Sequence, residues 1–152
     1  MAPEVDDPAI ASWFRDHHRS LVQLAFFHTG SLEVAEDVVS DVFAKALRSA
    51  ADVRDPGAYL RRAVVNGANS VHRRRRLVRR RPAPLPENVS LGACETFDVL
   101  MDLPVDQRTV VVLHYWEGLS IDEIAELLQR PRGTVASWQH RALVALREVI
   151  ER

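Results

Sequence analysis

Nine arginines fall between Arg61 and Arg81, at positions 61, 62, 73–76 and 79–81, with no Asp or Glu among them. Blocks of like charge repel one another and signal an interaction surface or a disordered tail, so this run needs a partner or solvent. Just upstream, Glu33, Glu36, Asp37 and Asp41 form an acidic cluster, which needs either solvent or a basic partner. Near the C-terminus Thr134, Ser137, His140 and Arg141 recur at helical spacing and offer donors and acceptors that suit base edges. No catalytic set accompanies them. The six histidines at 17, 18, 28, 72, 114 and 140 are scattered, and the adjacent His17 and His18 diverge by about 100° on a helix, a poor metal pair. Cys94, the lone cysteine, has no disulfide partner and no CxxC companion, which fits a reducing compartment. No glycine-rich phosphate loop is present. These residues point to binding without catalysis, metal or cofactor.

Helices must position them. Ile10, Trp13, Phe14, Leu21, Leu24 and Ala25 recur at three- and four-residue spacing and predict a helix over about 9–28, closed by Gly30 with Ser31. From Leu32, Ala35, Val38, Val39, Val42, Phe43, Ala46 and Leu47 share one stripe of a second helix, to about 50, with the carboxylates largely on the other side. Asp55-Pro56 reads as an N-cap followed by a first-turn proline, opening a third helix to about 76 along Leu60, Ala63, Val64, Gly67 and Val71. Pro82, Pro84 and Pro86 bar any helix there, so 77–94 is expected to be a linker.

Four shorter periodic pieces follow, over about 95–102, 105–117, 120–128 and 132–150. Val110 to Leu113 has strand-like composition, but Pro104, Gly118 and the neighbouring Leu103, Tyr115 and Trp116 favour a buried helix. Ser120 with Glu123 is a capping box. Ile121, Ile124, Ala125 and Leu128 make a short amphipathic helix, residues 129–132 a tight connection, and Val135, Trp138, Ala142 and Leu146 the apolar face of a longer helix, a helix-turn-helix pattern. Val135 packing across the small Ala125 would turn Thr134, Ser137, His140 and Arg141 outward. Trp13, Trp116 and Trp138 lie on apolar stripes and are expected in the core.

The balance of the chain agrees. Its 152 residues are 47% hydrophobic and 27% charged, enough for one ordinary domain or two small ones. The near-neutral total conceals an asymmetry: residues 1–81 hold 14 basic and 10 acidic side chains, a surplus of +4, and residues 82–152 hold 6 and 11, a deficit of −5. The longest stretch without charge, Ser20 to Leu32, is 13 residues, short of the roughly 20 that a membrane span needs. Glu4, Asp6 and Asp7 open the chain where a secretory signal would be basic and then apolar, so a cytoplasmic protein without membrane insertion is expected. The expected architecture is all-α: a first helical domain over 1–76, the Pro/Arg-rich linker, and a second domain over 95–152 holding the helix-turn-helix.

The chain resembles the extracytoplasmic-function sigma factors, small bacterial transcription initiation factors of the sigma-70 family. Residues 35–47 (AEDVVSDVFAKAL) and 54–62 (RDPGAYLRR) are similar to their first conserved domain. Leu103-Pro104, Gln107-Arg108, residues 115–120 (YWEGLS), 123–125 (EIA), 133–135 (GTV) and 140–143 (HRAL) are similar to the second. The resemblance implies that the second helix docks on core RNA polymerase through Glu36, Asp37, Asp41 and Phe43. It implies that Arg61, Arg62, Asn66, Arg73, Arg74, Arg75 and Arg76 hold the −10 promoter element. It further implies that Ser137, His140 and Arg141 read the −35 element, with Arg132 and Thr134 near phosphate, and that an anti-sigma protein is a partner.

The chain departs from the family pattern at several places. Ala136 stands where a basic residue is common, Gln139 where an apolar residue packs inward with Trp138 one position earlier, Arg130 where a serine caps the last helix, and Ala50 or Ala51 where an aromatic residue is frequent. Two rival readings are a helix-turn-helix regulator that binds duplex DNA without polymerase, and an interaction protein that has lost DNA binding.

Overall fold

The computed structural model describes residues 7–49, 52–75 and 94–151, without the side chains of residues 75 and 94–97. Arg76, the arginines at 79–81, Ala50, Ala51 and the expected linker as far as residue 93 lie outside them. Among the described residues every regular element is helical, as expected. They fall into two compact units, one within residues 1–81 and one within 82–152.

The first unit holds α1 (Pro8–Thr29), α2 (Leu32–Ala46) and α3 (Pro56–Arg75). Local chemistry sets their ends. Asp7 caps α1 by accepting from the Ala9 N–H at 2.9 Å, with Pro8 in the first turn where a missing donor costs nothing. Gly30 ends α1 at a φ of 77°, a left-handed conformation that glycine adopts without strain, and its N–H closes on the Phe26 carbonyl. Ser31 then caps α2 through the Val34 N–H at 3.3 Å, and Asp55 caps α3 through the Ala58 N–H at 3.2 Å.

The core of this unit is Ile10, Leu21, Leu24 and Phe27 from α1, Ala35, Val38, Val39, Val42 and Phe43 from α2, and Leu60, Val64, Val65 and Ala68 from α3. Gly67 lets α3 approach α2 closely: a Cβ there would stand 3.0 Å from Val38 Cγ1. The periodicity carried α2 to about residue 50, but the helix stops at Ala46 and residues 47–49 turn away. Leu47, the last apolar residue of the expected stripe, is exposed.

The second unit holds α4 (Cys94–Asp102), α5 (Val105–Val111), a wide π-helical turn at Val112–Trp116, α6 (Ile121–Leu128) and α7 (Arg132–Ile150). Val110 to Leu113 are all buried and helical, not a strand. The π turn inserts an extra residue, with the Glu117 N–H bonding back to the Val112 carbonyl at 3.2 Å, and this shifts the helical phase. Leu113 and Leu119 go inward, while Tyr115 is 58% and Trp116 52% exposed. The expectation of a core Trp116 is therefore corrected; Trp13 and Trp138 are half-buried. His114 donates from Nδ1 to the Leu119 carbonyl at 2.7 Å and holds the turn shut.

Arg108 is only 5% exposed; its Nη1 donates to the Met101 carbonyl at 3.0 Å, tying α5 to α4, and desolvation pushes its pKa below the ordinary guanidinium range.

Replacing Gly67 with Leu forces a side chain into the place of Val38. Overpacking of this kind costs about 1–3 kcal/mol, and urea unfolding followed by circular dichroism is expected to show that loss in the transition of the first unit.

Candidate nucleic-acid interface

The α3 helix buries Leu60, Val64, Val65 and Ala68, so its opposite side is left to polar residues. Arg62, Asn66, Asn69 and Arg73 are all exposed and follow one another at intervals of four, three and four residues, which makes them a single stripe. This gathers three of the residues named for the −10 element, Arg62, Asn66 and Arg73, and adds Asn69, which the sequence reading missed although its spacing fits the same stripe. Arg61 is half-buried and lies back against Gly57, whose surroundings include His17, so it stands beside the stripe rather than on it. Arg74 is exposed about 100° further round the helix. The backbone of Arg75 continues α3, and Arg76 lies beyond the described residues.

On α2, Glu33, Glu36, Asp37 and Asp41 are exposed together, opposite Ala35, Val38, Val39 and Val42. Phe43 does not join them. It is 6% exposed, its ring 5.2 Å from that of Phe14, which in turn stacks on His18 at 4.2 Å. The structure therefore places Phe43, expected as a contact residue, on the apolar side of α2, where it lies beneath the acidic face.

The helix-turn-helix is built from α6 and α7. Ser120 accepts from the Glu123 N–H at 3.1 Å to start α6. Gln129 ends it in the left-handed region at φ 53°, and the Arg130 N–H closes on the Ala125 carbonyl at 3.0 Å. Pro131 precedes α7 without any side-chain cap, so the serine replaced by Arg130 has no substitute there. Val135 and Ala142 are fully buried and fix the rotation of α7. Ser137, His140 and Arg141 therefore face outward, with Thr134 half-buried at the start of the helix, and Val144 extends the exposed face by one turn. Ala136 and Trp138 are half-buried at the flanks of this face, and Gln139, four residues after Val135 and three before Ala142, is half-buried on the packed side.

Arg132 is not free. Its Nε donates to Asp122 Oδ1 at 2.6 Å, across the turn between the two helices. Both side chains are well exposed, 68% and 73%, and a pair in that setting is worth no more than about 1 kcal/mol. Phosphate can compete for the guanidinium.

Known proteins divide in the same way. Residues 13–78 match the family model Sigma-70 region 2, and residues 98–146 match Sigma-70, region 4. SigM, an ECF RNA polymerase sigma factor of Mycobacterium tuberculosis, is 36% identical over 157 residues that cover 95% of this chain and 79% of that protein. The chain belongs to the extracytoplasmic-function RNA polymerase sigma factors. The RNA polymerase sigma-E factor of Streptomyces coelicolor is 41% identical to this sigma factor over 104 residues, 64% of the chain. The match spans 59% of that relative's length. Among solved structures, the sigma factor RpoE from Bartonella quintana, in complex with the anti-sigma factor NepR, shares the fold at a TM-score of 0.76 and 22% identity, covering 93% of this sigma factor and 96% of that chain.

Asp122→Asn releases Arg132 from its ion pair. Fluorescence anisotropy with a duplex of mixed sequence is expected to show binding tighter by about threefold to fivefold and a log–log salt dependence steeper by about one phosphate contact. An unchanged salt slope would mean that Arg132 stays off the backbone.

Proposed function

We propose that this sigma factor binds core RNA polymerase and directs it to promoters. The acidic face of α2 meets the polymerase, the α3 stripe holds the −10 element, and the outer face of α7 enters the major groove at the −35 element. One observation carries this reading. A single helical unit turns a carboxylate face outward on α2 and an Arg/Asn stripe outward on α3, with the apolar sides of both committed to one core. A regulator that only grips duplex DNA has no use for a four-carboxylate face, which would repel the phosphates. A basic protein partner gives that face its purpose and steers encounter.

The chemistry required is modest. Guanidinium groups on α3 neutralise backbone phosphate and stack on unpaired bases, and the amides beside them bond to base edges. On α7, Arg141 supplies the fork that suits guanine O6 and N7. His140 and Ser137 flank it, and Thr134 and Arg132 reach phosphate at the start of the helix. Bond making belongs to the polymerase, so this sigma factor is no enzyme itself. A cytoplasmic setting and control by an anti-sigma protein follow from the same reading; among the described residues no helix is long and apolar enough to cross a membrane.

Run-off transcription with core polymerase and genomic promoter fragments tests the reading, and absence of a transcript from every fragment would overturn it. With the cognate promoter, Arg141→Ala is expected to cut transcription about tenfold, the loss of one bidentate base contact, while co-purification with polymerase is unaffected. The double change Glu36→Lys and Asp41→Lys is expected to do the reverse, abolishing co-purification with polymerase while leaving binding of the isolated chain to DNA at least as tight.

A further inference from the structure

Asn69 stands on the exposed α3 stripe between Asn66 and Arg73, and its Oδ1 accepts a 2.8 Å hydrogen bond from His28 Nε2–H. His28 is 3% exposed, at the end of α1. One turn further along α3, His72 donates from Nε2 to the His28 carbonyl, and its ring meets the His28 ring edge-on with centroids 5.0 Å apart. Two contacts one turn apart thus tie this part of α3 to the end of α1.

A free asparagine amide turns over about its terminal bond and offers either a carbonyl or an amino group. The carbonyl end of the Asn69 amide is already taken, its Oδ1 facing His28 Nε2, so turning it over requires the buried imidazole to present an acceptor there instead of a donor. The group directed outward is therefore the NH2, a pure donor. Among the described residues the other amide on the stripe, Asn66, makes no side-chain hydrogen bond of this kind; beyond the helix its backbone carbonyl accepts from Ser70 Oγ at 3.1 Å.

We propose that Asn69 is a specificity-determining residue that reads a hydrogen-bond acceptor on a promoter base, and that buried His28 is its positioning residue. The proposal rests on the reading of α3 as a DNA-binding surface. A pure donor pairs with guanine O6 or N7, thymine O4 or adenine N7 at the point faced by Asn69, and is opposed by cytosine, whose edge there offers only an exocyclic amino group.

The test is run-off transcription with core polymerase from a promoter library randomised across the −10 element, which returns a base preference at each position. Wild-type protein shows a preference at one position that Asn69→Asp, equal in shape but without the donor, reduces about fivefold, as expected for one hydrogen bond. His28→Leu weakens the preference at that same position, and His28→Gln, whose side-chain amide can donate to Asn69 in the same way, restores most of it. Preferences at the other positions stay as they were. A merely structural His28 would lower melting temperature and transcription from all library members alike without altering the pattern, and that result overturns the proposal. If His28→Leu does not fold, Asn69→Asp decides alone, and an unaltered pattern overturns the proposal. Silence of the wild type on the whole library overturns the sigma reading and this proposal together; a selective wild type with unmoved variants overturns this proposal only.

Discussion

The close crossing of α2 and α3, made possible where Gly67 meets Val38, is the constraint on which the first unit depends. Once Ala35, Val38, Val39 and Val42 are seated there, α2 has no remaining freedom of rotation, and Glu33, Glu36, Asp37 and Asp41 must face outward. Those carboxylates oppose the helix. Glu33, Asp37 and Asp41 follow at four-residue intervals, and each like-charge pair of that kind costs about 0.2–0.5 kcal/mol. Burial outweighs them, since a fully buried valine or phenylalanine contributes about 1.5–3 kcal/mol. The face is affordable only because the opposite side of the same helix is apolar.

The second unit reaches a similar result by weaker local means. Its last helix has no side-chain cap, and the residue that ends α6, Gln129, sits in a left-handed conformation that costs a non-glycine residue about 1–3 kcal/mol. The Arg132–Asp122 pair is too exposed to hold two helices together. What orients α7 is the burial of Val135 and Ala142, seven residues apart on one side, which leaves Ser137, His140 and Arg141 on the other. Recognition chemistry here is a by-product of packing, and of the departures Ala136 lies at the flank of the exposed face while Gln139 lies on the packed side with Val135 and Ala142.

Much of this was legible in the sequence wherever the deciding physics is local. The caps at Asp55 and Ser120 and the Gly30–Ser31 junction involve residues within four positions of one another, and each side-chain cap forms, although of the capping box only the serine half is made, Ser120 accepting from the Glu123 N–H. The failures share a different cause. Helical periodicity extends a stripe past the point where a partner surface ends, which is why α2 appeared longer than it is. It also assumes a constant turn, so the π turn at Val112–Trp116 reversed the expected burial of Trp116. The His28–Asn69 bond joins residues 41 positions apart, and no pattern along the chain pairs them.

The central claim is that the carboxylate face of α2 holds core RNA polymerase. Its most direct measurement is the dissociation constant of the full chain for purified core polymerase as a function of salt concentration. The account predicts association at low ionic strength that weakens steadily as salt rises, because charge pairing between the proteins is screened. No association at low ionic strength, or an affinity indifferent to salt, would contradict it.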